Sequence, residues 1–199
     1  PLASVKKIAN TPSDGKFVFK LPSKEDQMIP VIDNDAVQAQ IDFFINGRGK
    51  PLLRPWLKRS SRWYKIIVEM AAAEGMPEEL VLLPMIESAY NPLAVSNKSA
   101  VGLWQFMYPT GVDYNLNKRQ SVWVDERRDP IKSTRAGLRY LRDLYLEFND
   151  WHLTLAAYNW GWGNIRRAVK QINIDKPTYW DIRTKKNIAM PIQAQNYVP

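Results

Sequence analysis

The sequence predicts a mainly α-helical domain, and three observations carry that prediction. Apolar residues recur at helical spacing over long stretches, most clearly Ile131, Leu138, Leu141, Tyr145 and Phe148 behind the start signal Asp129-Pro130. Capping and stop residues stand at segment ends: Asn34 precedes Val37, Ile41, Phe44 and Ile45, and Asn46-Gly47 follows them. Strand-like alternation is confined to FVFKL, near the start, and to a short hairpin expected at Ser121 to Val124. With 199 residues of which 45% are apolar, the chain is long enough to enclose a core of its own.

Taken in order, residues 1–33 carry Pro12, Pro22, Pro30 and Gly15 and read as an extended arm with a short strand at FVFKL. The first helix starts at the Asn34 cap. After the loop GRGKP, the stretch PLLRPWLKRSSRWYKIIVEMAAAEG reads as two helices hinged near Ser60-Ser61, the second ending at Gly75. Pro77 is expected at the first turn of the next helix, which runs to about Tyr90 and is apolar almost all round: Leu80, Val81, Leu82, Leu83, Met85 and Ile86. A helix without a polar face is expected to be buried, and Pro84 within it to bend it. Asp129-Pro130 opens a long amphipathic helix to Asn149, the apolar helix WHLTLAAYN follows, and Gly161 and Gly163 supply flexible backbone before GNIRRAVKQI. The tail, with Pro177 and Tyr179-Trp180 and then Pro191 to Tyr197, is expected to return a last helix to the cleft. The expected organisation is an arm over 1–33 and one domain over 34–199, with the helices of 34–76 packing on a core formed by 77–199.

A formal net charge of +8 favours polyanionic partners. The cations are scattered, as in KKIAN, LKRSSR, NIRRAV and RTKKN, and no zinc-finger, RNP or G-x-x-G signature accompanies them, so nucleic acid is not expected as a partner. There is no cysteine, which removes disulfides and thiolate chemistry, and His152 stands alone, which argues against a metal site. VIDNDA, the nearest thing to a calcium loop, lacks the glycine and distal glutamate of an EF-hand. No cofactor is expected. No run approaches the length of a transmembrane segment, and PLASVKKIANTPSDGK has no apolar core of the kind a secretory leader needs.

The chemistry concentrates in IESAYNPLAVSNKSAVGLWQFMYPTG, Ile86 to Gly111. One carboxylate, Glu87, stands where an apolar segment meets a polar turn. An apolar flank disfavours the ionised form, so Glu87 is the candidate for an acid kept protonated near neutral pH. Tyr90, Asn91, Ser96, Ser99, Trp104, Gln105 and Tyr108 follow it, a mixture of rings, hydroxyls and amides suited to a carbohydrate.

Glu87-Ser88-Ala89-Tyr90-Asn91-Pro92, Ala94, Ser96, Gly102-Leu103-Trp104-Gln105-Phe106-Met107 and Thr110-Gly111 together resemble the catalytic signature of the lytic murein transglycosylases. Asp125-Glu126-Arg127-Arg128-Asp129 and Ala156-Ala157-Tyr158-Asn159 with Gly161 and Gly163 match later segments of that family, and the lead-in GMPEELVLLPMIESAY resembles its membrane-bound D type. The likeness covers roughly Ile32 to Pro199. It implies a lysozyme-like fold of the goose-type or SLT kind acting on peptidoglycan glycan strands in the periplasm. Export signal, lipid anchor or wall-binding modules are expected outside the segment Pro1 to Pro199.

The resemblance also implies a mechanism. Most glycosidases use two carboxylates, but here Glu87 would serve twice, first protonating the oxygen between N-acetylmuramic acid and N-acetylglucosamine. With help from the sugar's N-acetyl oxygen, it would then accept the proton of the muramoyl C6 hydroxyl, giving a 1,6-anhydro product. Ser96 would bond the N-acetyl group, Gln105 and Met107 would line the cleft, Tyr158 would sit near Glu87, and Asn159 and Tyr197 would complete the wall. Trp104 and Tyr108 are further candidates for the sugar site, as are Trp123, Trp160 and Trp162 for stacking. Competing roles stay open: core packing for Met107 and each tryptophan, a hydrogen-bonded core position for Tyr158, and a turn position for Ser96. The DERRD segment reads as an ion-paired loop ahead of a capped helix. The chain departs from the family at Gln193-Ala194, where Glu-Thr is common before the terminal Tyr-Val. A goose-type-lysozyme-like hydrolase and a wall-binding protein without catalysis are the alternative functions.

Overall fold

A computed structural model of the protein describes residues 28–117 and 123–199. FVFKL and most of the expected N-terminal arm lie outside the described residues, as do Ser121 and Val122 of the expected hairpin. Ten α-helices are present among the described residues: α1 Asp35–Ile45, α2 Lys50–Ser60, α3 Tyr64–Ala73, α4 Leu83–Ser88, α5 Tyr108–Asp113, α6 Pro130–Phe148, α7 Trp151–Trp160, α8 Trp162–Gln171, α9 Tyr179–Thr184 and α10 Ile192–Gln195. Glu78–Leu82 and Glu126–Arg128 are 3-10 turns. Isolated antiparallel bridges, Val95 to Val101 and Val101 to Phe106, stand in place of any sheet among these residues, so the mainly α expectation holds.

The caps at Asn34 and Asp129 form as the sequence predicts, and Asp150 adds one that it did not flag. The Asn34 side chain accepts hydrogen bonds from the Ala36 and Val37 amides, Asp129 from Ile131 and Lys132, and Asp150 from Leu153. The hinge near Ser60-Ser61 is the break between α2 and α3, and the start of α6 at Pro130 follows the first-turn preference of proline.

Two compact units result. In the first, Pro51–Tyr140, α3 and α4 both pack against the 3-10 turn Glu78–Leu82. Ile67, Leu80, Leu83, Tyr90, Leu103, Trp104 and Phe106 are buried together with Ala136 and Leu138 of α6; each large apolar side chain contributes on the order of 2 kcal/mol. Gly137 leaves room for the Trp104 ring, against which a Cβ would lie at 2.7 Å. Trp104 donates from Nε1 to the Thr134 hydroxyl at 3.0 Å.

The single apolar helix expected from Pro77 to Tyr90 is corrected. Pro77 is the residue before the 3-10 turn, which ends at Leu82, and Pro84 falls in the first turn of α4, where its missing N–H leaves no hydrogen bond unmade. The chain therefore changes from 3-10 to α-helix between Leu82 and Leu83, just before the proline. Nor is the run buried all round: Leu80, Val81, Leu83 and Pro84 are inside, but Ile86 is 52% exposed.

The second unit comprises Ile29–Lys50 and Leu141–Pro199. Its centre is α7, buried from Trp151 to Ala157, with α8, α9 and α10 packed against it and Tyr145 stacked on Trp151 at 4.4 Å between centroids. Gly161 takes φ +95°, a conformation that glycine adopts freely, between α7 and α8. Gly163 lies inside α8 with open space around it, so the flexible backbone expected there is confined to Gly161. Trp180 donates from Nε1 to Nδ1 of the buried His152, which makes Nε2 the protonated nitrogen that donates to the Pro30 carbonyl at 2.9 Å. The apolar face expected on the first helix is only partly covered among the described residues: Val37 and Phe44 are half-buried, Ile41 and Ile45 are exposed, and none is fully buried.

Gly102 is a point of close backbone approach in the first unit. At φ +87° it approaches Arg127 so nearly that a Cβ would stand 1.9 Å from the Arg127 carbonyl oxygen. Gly102→Ala should therefore lower stability by about 3 kcal/mol, measured as a melting midpoint lower by roughly 6–12 °C.

Candidate active site

Glu87 stands in the last turn of α4, one turn beyond Leu83 and so on the same face as that buried side chain. It is half-buried, between the core and the exposed Ile86. The helix stops immediately after it in an unusual way: Ala89 and Tyr90 both adopt left-handed backbone conformations, φ 53° and 56°. For residues with a Cβ this costs about 1–2 kcal/mol each, and the surrounding bonds offset it. Ala89 and Tyr90 donate their amides to Met85 and Pro84 carbonyls at 2.9 and 3.0 Å, satisfying the end of the helix. The buried Tyr90 hydroxyl donates to the Val81 carbonyl at 2.6 Å; burial, with Tyr64 adding to it, pushes its phenol up to about 12 and keeps that donor protonated. The Ser88 hydroxyl lies within hydrogen-bond distance of the Leu103 carbonyl, at 2.9 Å. Arg59 of α2 donates from Nε to the Ala89 carbonyl at 2.6 Å.

Ser88 joins the end of α4 to the loop that carries Ser96, Trp104, Gln105 and Met107. That loop folds on itself through reciprocal Val101–Phe106 backbone bonds and a Ser96–Ala100 turn. Ser96 accepts from the Ala100 and Lys98 amides at 3.0 and 3.3 Å, which is the turn role. Both interactions use its oxygen as acceptor, so its proton is left to donate elsewhere. Gln105, at φ 47°, donates its side-chain amide to the Gly102 carbonyl at 2.9 Å. Its carbonyl oxygen remains the acceptor end. Met107 and Tyr108 are exposed. Trp104 is corrected: it is 0% exposed and bonded to Thr134, so it supports the loop from beneath and offers no ring to a sugar.

The loop is fastened by Arg127. Its guanidinium is buried, pairs with Asp125 at 2.7 Å, and donates to the Phe106 and Ser99 carbonyls at 3.0 and 3.2 Å. Tyr108 lies with its ring 5.5 Å from the same cation. Glu126 pairs with Lys132 and accepts from the Asn117 amide, and Arg128 donates to the Leu93 carbonyl. The DERRD segment is thus the ion-paired, structural loop that its alternating signs suggest. Its reach into the 93–106 loop was not legible in the sequence, since nothing local marks which carbonyls an arginine will find. Arg59 was missed for the same reason.

In the second unit, Tyr158 and Asn159 are half-buried near the end of α7, where its buried run gives out. Tyr197 is half-buried just after α10, whose last carbonyls are held by the Tyr179 hydroxyl and Arg183. Trp160 and Trp162 are half-buried, with Arg166 over the Trp162 ring at 4.9 Å, and Trp123 is exposed. Among the described residues no three His, Asp or Glu side chains converge as a metal ion would require, and no helix is long and apolar enough to cross a membrane.

The transglycosylase SLT domain family matches residues 65–180. Over 170 residues the chain is 34% identical to membrane-bound lytic murein transglycosylase D of Escherichia coli K12, covering 84% of this chain and 35% of that protein. It is 38% identical over 133 residues to a putative tributyltin chloride resistance protein of Alteromonas sp. strain M-1, covering 65% of this chain and 63% of the relative. To membrane-bound lytic murein transglycosylase C of Glaesserella parasuis it is 30% identical over 162 residues, 70% of this chain and 44% of the relative. The chain thus spans about a third of the length of the D-type relative.

Burial alone would raise the Asp125 carboxyl, but hydrogen bonds from Arg127 and Asn117 outweigh it and hold the group at about 2, below its ordinary 3.8. Because the folded value is the lower one, the stabilisation is complete above about pH 4 and is lost as pH falls through about 2, a change of about 2 kcal/mol. Denaturant midpoints measured from pH 6 down to 2 should trace that loss, and Asp125→Asn should flatten it.

Proposed function

The chain belongs to the transglycosylase SLT domain family, and from that we propose that it is a lytic transglycosylase of peptidoglycan, cleaving the β-1,4 bond between N-acetylmuramic acid and N-acetylglucosamine in the bacterial envelope. The observation that carries this is the setting of Glu87: a half-buried carboxylate at a helix end stiffened by Tyr90, Ser88 and Arg59. From Ser88 to Val112 the sequence holds no other acid, and Asp113 is exposed. A one-carboxylate mechanism suits that arrangement better than the acid and nucleophile pair of most glycosidases.

In the proposed reaction protonated Glu87 gives its proton to the glycosidic oxygen as the bond to C1 of the muramoyl residue breaks. The N-acetyl carbonyl oxygen of that sugar stabilises C1. Glu87, now a carboxylate, takes the proton of the C6 hydroxyl, whose oxygen closes on C1, and the acid is regenerated without water. The free proton of Ser96 suits the acetamide oxygen, and the Gln105 carbonyl suits a sugar hydroxyl or N–H. Met107 and Tyr108 supply exposed apolar surface for a sugar face; Tyr158, Asn159 and Tyr197 are proposed as further contacts to the glycan strand.

Purified sacculi incubated with the protein should release muropeptides whose muramoyl ends are lighter by one water than reducing ends, read by mass spectrometry. Glu87→Gln should lower the rate by about a thousandfold, within the range for loss of a general acid and base. Release of reducing ends alone, or undiminished cleavage by Glu87→Gln, would overturn the proposal.

A further inference from the structure

We propose that Arg59 is a positioning residue for Glu87, acting through the left-handed turn at Ala89 and Tyr90; this rests on Glu87 being the working acid. The turn follows the acid by two residues and is made of residues that disfavour its conformation. Three side chains hold this stretch. Tyr90 anchors it inward to Val81, and Ser88 is bonded to the loop at Leu103. Arg59 alone among them reaches it from a helix thirty positions away in sequence, donating from Nε to the carbonyl of Ala89. A charged donor on a neutral carbonyl makes a stronger bond than an uncharged one. Arg59 is solvent-exposed and is joined on its own helix to the buried Ser60, so its stem starts from a fixed point. With the guanidinium in place the turn keeps its geometry, and Glu87 is offered to substrate in one orientation. Without it, Ala89 can relax toward ordinary backbone angles and carry the last turn of α4 with it.

An exposed arginine beside a candidate acid could instead hold the substrate, and the two roles separate in a double-mutant cycle with Ala89→Gly, because glycine takes the left-handed conformation without the steric cost. On soluble glycan strands, Arg59→Ala should reduce turnover about tenfold while the half-saturating concentration stays within about twofold. In the Ala89→Gly background the same change should cost less than about threefold, and Arg59→Lys should restore part of the loss. A loss confined to the half-saturating concentration, or equal losses in both backgrounds, would overturn the proposal. The cycle is also read in melting temperature, where Arg59→Ala should cost less when residue 89 is glycine; additive shifts count against the proposal, and this readout needs no substrate. Product chemistry is scored separately. Reducing ends from the wild-type protein would remove the lytic reaction yet leave the rate comparison intact.

Discussion

The buried guanidinium of Arg127 is the constraint on which the candidate site most depends. The loop from Leu93 to Met107 has no sheet to complete its backbone bonding, and irregular backbone near a core must find partners for its carbonyls. Arg127 provides them at Ser99 and Phe106, and its own charge is matched by Asp125 at 2.7 Å. A buried ion of this kind is tolerated because it is both paired and hydrogen-bonded; the removal of either partner would leave a charge stranded. Gly102 lets the loop lie directly on the Arg127 backbone, so side-chain clamp and backbone contact act at the same place. The positions of Ser96 and Gln105, both proposed as substrate contacts, are consequences of that path.

Strain at the end of α4 is the second feature. A helix can end cheaply on glycine, but here Ala89 and Tyr90 occupy left-handed positions and each is held by a bond from outside the helix or from the 3-10 turn before it. Such conformations persist where surrounding structure over-determines them. The result is a carboxylate whose backbone is fixed at the edge of the core. In the proposed reaction that matters because one group must give a proton and take one back, and both transfers depend on the same short distances.

Two of the departures from the sequence reading have one cause. Leu80 to Ile86 reads as a buried helix because apolar residues surround it, yet Leu82 and Ile86 lie outside. Trp104 reads as a sugar platform because aromatic rings often are, yet it is sealed beneath the loop by Gly137 and Thr134. Composition states what a residue favours; it does not state which neighbour reaches it first.

Local preferences are written in the chain. The caps at Asn34 and Asp129, the proline at the start of α6, the hinge near Ser60-Ser61, the long amphipathic run of α6 and the mainly α class all follow from bonds or periodicities within a few residues. The motif around Glu87 was legible for the same reason, as a contiguous string. Tertiary structure alone decided that Arg127 would bind the carbonyls of Ser99 and Phe106, that Arg59 would cap Ala89, and that Trp104 would be interior. These are encounters between residues some twenty to thirty positions apart. Their partners are set by the packing of whole elements, and no short-range pattern in the chain encodes them.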